Sequence, residues 1–288
     1  MKTILILADF TENAAHAALS GITLSQKLHT DLLVFNVNSS QPVLPQYAGG
    51  PTVVDDFGLW EKESSEKLNK LSEALEPLII QTDPQQRKPT IHIEFGEGNV
   101  GIMVKEVIKQ KDIEMIVMGA RAGSTMDHIL TGSETISVVD HATRPVLVVP
   151  KNADLNKLSK VVFATDYNES DMNGVHYLVK LGKLFNFHLV IVHVNLFNDK
   201  DILKMKKEAI FLNHVERLKY PHISFREING KEVTHRLNTL CDETGADLLS
   251  MMNYKNSFMK RLFKQSTTHK ALDGQKIPLL IFPPELED

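Results

Sequence analysis

The chain has 288 residues, enough for about two ordinary domains. Its 42% hydrophobic and 24% charged residues with a formal net charge of -4 describe a globular chain, and argue against a nucleic-acid-binding protein, which would carry a marked basic excess. The longest apolar runs (ILILA, LLVF, PVLVV, HLVIV, PLLIF) are strand-sized and far short of the about 18 residues a membrane-spanning helix needs, so no membrane segment is expected.

In chain order, MKTILILADF reads as a first core strand, because its apolar run stops at Asp9 and is too short for the centre of a signal peptide. A helix follows, with Ala14, Ala17, Ala18, Leu19 and Leu24 near helical period, and then the strand LLVFNV. Residues 39–60, SSQPVLPQYAGGPTVVDDFGLW, carry the prolines and glycines of a loop, either a lid over a ligand or a disordered insertion. Leu68, Leu71, Leu75 and Leu78 mark a helix around 60–80. The alternating strand TIHIEF comes next, then a helix near 100–110, the strand IEMIVM, a helix near 133–142 and the strand VLVVP. Continuous apolar strands separated by helices predict an α/β fold, a doubly wound parallel sheet of about five strands covered on both faces.

The chain then repeats itself. Residues 2–38 align without a gap on 159–195 at a constant offset of 157, which sets Asp9 on Asp166, Val37 on Val194 and Asn38 on Asn195. RPVLVVP at 144–150 lies over IPLLIFP at 277–283 at an offset of 133, so the first copy holds 24 extra residues, assigned to the 39–60 loop. The expected organisation is two tandem domains, 1–150 and 157–288, related by a pseudo-twofold axis.

In open parallel sheets ligands bind beyond the carboxyl ends of the strands, which singles out Asp9, Val37, Asn38, Gly96, Glu97 and Gly119. Asp9 is placed to accept hydrogen bonds from a ribose or an adenine amine, or to bond backbone N–H groups of its own turn. Gly119 allows the backbone to turn sharply and come close to a ligand. Gly132 and Ser133 open a helix whose free N–H groups receive an anion, or Ser133 serves as its N-cap.

IVMGARAGSTMDHILTGS, with ILILADFTENA at the start and RPVLVVP after it, resembles the universal stress protein family in its tandem, two-domain form. The resemblance implies an adenine nucleotide alpha hydrolase-like fold and a loop reading Gly, two residues, Gly, nine residues, Gly, then Ser or Thr. Gly119, Gly132 and Ser133 meet that spacing; Ala122 stands at the middle glycine, with Gly123 one place late. If that position needs positive φ, alanine costs roughly 1 to 2 kcal/mol there. By the resemblance Asp9 contacts adenosine and the Val37 backbone contacts adenine. Met118 and Gly119 pass beside the ribose and phosphates, and Gly132, Ser133 and Thr135 hold the phosphates, with or without Mg. Glu134 suits the helix dipole but repels a polyphosphate.

In the second copy Met252, Lys255 and Gln265–Ser266 occupy the loop positions, so no phosphate cradle is expected there. Lys255, Lys260, Arg261, Lys264 and Lys270 form a basic stretch within 253–270, either a docking patch or a solvated helix face. His176, His188, His193 and His235 lack a compact ligand spacing, so no metal site is expected. Cys241, the single cysteine, reads as buried and fits a reducing, cytoplasmic setting.

No GxxxxGK[ST] loop, His-x-Gly-His pair or SGGxDS-type loop is present, so no catalytic residue is assigned and dedicated catalysis is not expected. Two functions stand: a stress-response sensor that binds an adenine nucleotide such as ATP in its first half, and a non-nucleotide interaction protein with a relic loop and an unidentified protein partner. VLVVP and PLLIFP would be exposed apolar edges in separate domains, which predicts pairing of the two within the chain, with a homodimer as a further assembly.

Overall fold

The computed structural model describes residues 1–38, 56–80, 87–120, 133–151, 153–196, 202–254 and 277–286. In the first half β1 (Thr3–Leu7), α1 (Glu12–Leu28) and β2 (Asp31–Asn38) are followed by α2 (Asp56–Leu75), a 3-10 turn (Glu76–Leu78) and β3 (Ile91–Glu97). Next come α3 (Val100–Gln110), β4 (Ile113–Gly119), α4 (Ser133–His141) and β5 (Val146–Val149). A 3-10 turn at Leu155–Lys157 leads into β6 (Lys160–Ala164), α5 (Asp171–Phe185), β7 (His188–Leu196) and α6 (Ile202–Glu216). The second half ends with β8 (Ile223–Gly230), α7 (Val233–Thr244), β9 (Leu248–Met252) and β10 (Leu279–Phe282).

These strands make one ten-stranded sheet, ordered β3-β2-β1-β4-β5-β10-β9-β6-β7-β8. The order of β1–β5 is met again in β6–β10. Within each half the strands run parallel, and the join is antiparallel, with Leu279 opposite Val148, Leu280 opposite Leu147 and Ile281 opposite Val146. The fold is therefore two tandem doubly wound domains, and the paired edges expected from VLVVP and PLLIFP meet within the chain.

The inner strands bury both faces because helices cover both, whereas the edge strands β3 and β8 stay largely exposed or half-buried. Ile4 and Ile6 pack on one side with Ala17 and Ala18 of α1, while Leu5 and Leu7 pack on the other with Val104 of α3 and Val138 of α4. Alternate residues of one strand therefore feed two cores, which is why ILIL carries no polar position. Helix α1 starts at Thr11, whose hydroxyl accepts from the Ala14 N–H, and stops at His29 in the left-handed conformation. Helix α3 is capped by Asn99 in the same way. Two leucines assigned by period to core-facing helix positions, Leu19 and Leu78, are exposed, Leu78 because the helix gives way to the 3-10 turn. Most of the 39–60 loop and of the basic stretch lies outside the described residues.

The strands that join the halves, VLVV and LLIF, are buried throughout. A fragment ending at residue 150 exposes the whole β5 edge, and unpaired apolar edges recruit strands. Sedimentation of that fragment is expected to show a dimer or larger species; a stable monomer would contradict the role given to this edge.

Candidate functional site

The carboxyl ends of β1, β2 and β4 open into a cleft of about 470 Å³, counted out to its mouth. Its wall includes Asp9, Asn36, Val37, Met118, Gly119 and Glu134. Four residues singled out in the sequence, Asp9, Val37, Met118 and Gly119, thus meet in one place. Ser133 is the first residue of α4, and Thr135, two residues on, is buried and forms no part of the described wall. Ala122 and Gly132 lie outside the described residues.

The loop leaving β1 is the strained part of the wall. Phe10 has φ 61, a conformation that costs a non-glycine residue roughly 1 to 2 kcal/mol. Asp9 holds it: its Oδ1 accepts from the Thr11 N–H at 2.9 Å and the Thr11 hydroxyl at 2.6 Å. From below, the buried Asn36 side chain donates to the Ala8 carbonyl at 2.6 Å and accepts from the Ser64 hydroxyl at 3.2 Å. Hydrogen bonds to a charged group, even exposed ones, offset part of this strain. Asp9 is therefore a turn residue and a wall residue at once; the two readings of it are compatible.

Gly119 is glycine for a reason the sequence did not reveal. Its φ is outside the left-handed region, but a β-carbon on it would stand 2.6 Å from the Asn13 carbonyl carbon and 2.7 Å from the Ala14 nitrogen. The first turn of α1 lies directly on the end of β4, and the Asn13 side chain donates to the Ala120 carbonyl.

The second half keeps the strain and changes the chemistry. Tyr167, equivalent to Phe10, has φ 56, and His193, equivalent to Asn36, makes the matching contact from Nδ1 to the Thr165 carbonyl at 2.7 Å. His193 also stacks on Tyr167 with ring centroids 4.7 Å apart. The clamp is now Asp171, at the position of Ala14. Its Oδ2 accepts from the Thr165 hydroxyl at 2.6 Å and from the N–H groups of Asp166 at 3.0 Å and Asn168 at 3.1 Å. Its Oδ1 accepts from the Tyr254 hydroxyl. Burial pushes the Asp171 carboxyl above the usual carboxylate range, although these four bonds oppose the shift.

Tyr254 thus ties the end of β9 to the loop and lines the second-half cavity. Met252 replaces Gly119, and its bulk fits because Gly174 replaces Ala17: a β-carbon on Gly174 would lie 3.0 Å from the Met252 sulfur and 2.9 Å from the Phe163 ring. The remaining space is about 320 Å³ and is lined largely by apolar residues such as Val192, Val194 and Met251. The halves also touch through Asn253, whose buried side chain donates to the Val139 carbonyl at 3.0 Å. That carbonyl lies in the last turn of α4, so the second half caps the helix whose other end faces the first-half cleft. Asn36, Asn253 and Asp171 escaped the sequence reading; the recurrence of a polar side chain at 36 and 193 was the one signal available.

A model of the universal stress protein family matches residues 1–150. Universal stress protein G of Salmonella typhimurium is 43% identical over 67 residues, 23% of this chain and 44% of that protein, so the match spans less than half of that relative. A universal stress protein of Methanocaldococcus jannaschii is 27% identical over 150 residues, 52% of this chain and 82% of that one. The crystal structure of a universal stress protein from Archaeoglobus fulgidus superposes with a TM-score of 0.68 at 18% identity, covering 98% of this chain and 96% of that one.

Two measurements test the site's construction. Gly119→Ala drives a methyl into the α1 backbone and is expected to cost about 1 to 3 kcal/mol in denaturant unfolding; an unchanged midpoint would contradict the packing account. Because the folded state holds the Asp171 proton more tightly than the unfolded chain, its contribution is full below the unfolded value of about 3.9 and is lost as pH rises through the folded value. The stability of the wild type relative to Asp171→Asn should therefore decline as pH rises above the unfolded value of about 3.9; a rising difference would reverse the assignment. With its matching first half and its fold, the chain belongs to the universal stress protein family.

Proposed function

We propose that this stress protein binds an adenine nucleotide such as ATP, with or without Mg, in the first-half cleft. The observation that carries the reading is the convergence of Asp9, Val37 and Gly119 at the carboxyl ends of β1, β2 and β4, with α4 beginning beside them. An acidic side chain and exposed strand-end backbone suit a nucleoside, and the opening of a helix suits its phosphates. Asp9 would accept from the ribose or the adenine amine, the Val37 backbone would meet the base, and Met118 and Gly119 would flank the ribose. Gly132 and Ser133 would supply N–H donors. Thr135, being buried, would act through its backbone alone.

The protein acts by binding rather than turnover, in a cytoplasmic setting. Occupation of the cleft shifts the position of α4, and with it the surface offered to a partner or a second copy. A ligand does this only by binding one arrangement better than the other. The Asn253 cap on α4 gives the second half a stake in that equilibrium. A second reading, an interaction protein without nucleotide, draws on Glu134, whose charge in the wall opposes a polyphosphate.

Calorimetric titration of nucleotide-stripped protein with Mg-ATP is expected to give one site per chain at micromolar affinity. Asp9→Asn, which retains an oxygen for Thr11, should weaken it by about tenfold or more. No heat up to millimolar ATP would favour the interaction protein.

A further inference from the structure

A second cavity, larger than the cleft, is present. It lies between the halves at the amino ends of β1, β4 and β5, and measures about 910 Å³ counted out to its mouth. One wall is a single face of α5, where Asn173, His176, Tyr177 and Lys180 recur at helical spacing. The facing wall carries Lys2, Glu114 and Arg144 of the first half. A concave space between two domains is a common place for a small-molecule site.

Glu114, the one acid among the described lining residues, is buried and shared by two ammonium groups, Lys2 at 2.6 Å and Lys180 at 3.5 Å. Burial raises the Glu114 carboxyl, yet these lysines hold it below the usual range. Lys180 makes the longer contact and is more than half exposed, so it can turn to a second anion. The buried Tyr177 hydroxyl lies toward Glu114 without completing hydrogen-bond geometry to any described acceptor.

The duplication shows that the cavity is specific to one side. At the pseudo-twofold mate, Ser159, Asp247, Ile277, Leu19 and Thr23 take the places of Lys2, Glu114, Arg144, His176 and Lys180. There Asp247 is consumed by the N–H groups of Ser159 and Lys160 and the Ser159 hydroxyl. The turn joining the halves packs beside α1, with Leu155 buried and Asn156 bonded to Thr23 at 3.4 Å. One copy of the space is filled by chain; the other is open and carries cations.

We propose that this cavity binds a small molecule bearing a terminal phosphate, held by Lys180, His176 and Asn173 on one side and Lys2 on the other. Compact ammonium charges with neutral N–H and O–H donors between them suit a tetrahedral oxyanion. Because its two walls belong to different halves, the bound anion ties them together.

Pyrophosphate titrated into the full chain by calorimetry at low ionic strength is expected to show one saturable site. Lys180→Met and His176→Ala, both at exposed positions, should each weaken it by about tenfold with unchanged circular dichroism, while Lys183→Met on the same helix should not. Absence of binding, equal affinity in Lys180→Met and Lys183→Met, or tighter binding of citrate than of pyrophosphate would overturn the proposal. Loss of pyrophosphate binding in Asp9→Asn would likewise overturn it by moving the anion to the cleft.

Discussion

The antiparallel pairing of β5 with β10 is the contact on which the rest of the molecule depends. Each strand is four residues long and wholly apolar, and neither could remain at an open edge in water. Joining them makes one sheet of two and reverses the direction of the second half. The carboxyl end of one half therefore lies beside the amino end of the other. That reversal sets α5 against the amino ends of the first-half strands and brings Asn253 to the last turn of α4. Neither contact is encoded within a single half.

Within each half the loop after the first strand is the second constraint. An aromatic residue sits there in a left-handed conformation in both copies, Phe10 and Tyr167, and both are pinned from below by the side chain at the same position of the next strand. The copies then diverge in what supplies the remaining hold. In the first, Asp9 bonds its own turn and still borders the cleft. In the second, Asp171 reaches into the loop from α5 and recruits Tyr254, and Asp166 is left near His193 at 3.8 Å. Packing follows the same division, since a glycine on the strand end and an alanine on the helix in one half become a methionine and a glycine in the other. The paired change conserves filled space, and what remains open in the second half is lined largely by apolar residues.

Much of this was legible because the signals are local or repeated. Strand runs with no polar position can only be strands covered on both faces, and an ungapped offset of 157 over 37 residues identifies a duplication without reference to coordinates. The rule that ligands meet parallel sheets at the carboxyl ends then selects Asp9, Val37, Met118 and Gly119, which do share one wall. The reason for Gly119 was not legible, since close approach of two backbones leaves the same mark as a sharp turn. The burial of Thr135 was not legible for the same reason: its position near a helix opening is readable, but the direction of its side chain depends on how α4 lies on the sheet.

By itself the sequence determined the class of fold, the duplication, the two apolar edges that had to meet and the residues at the strand ends. Each of these follows from periodicity or from the requirement that apolar surface be covered. Only the tertiary structure decided which glycine serves packing, which carboxylate clamps the strained loop in each half, and that one interdomain space is filled by the linker while its mate stays open among Lys2, Lys180 and Glu114. Those outcomes depend on contacts between residues more than a hundred positions apart, and a chain carries no local signal for the partner that another element will bring to it.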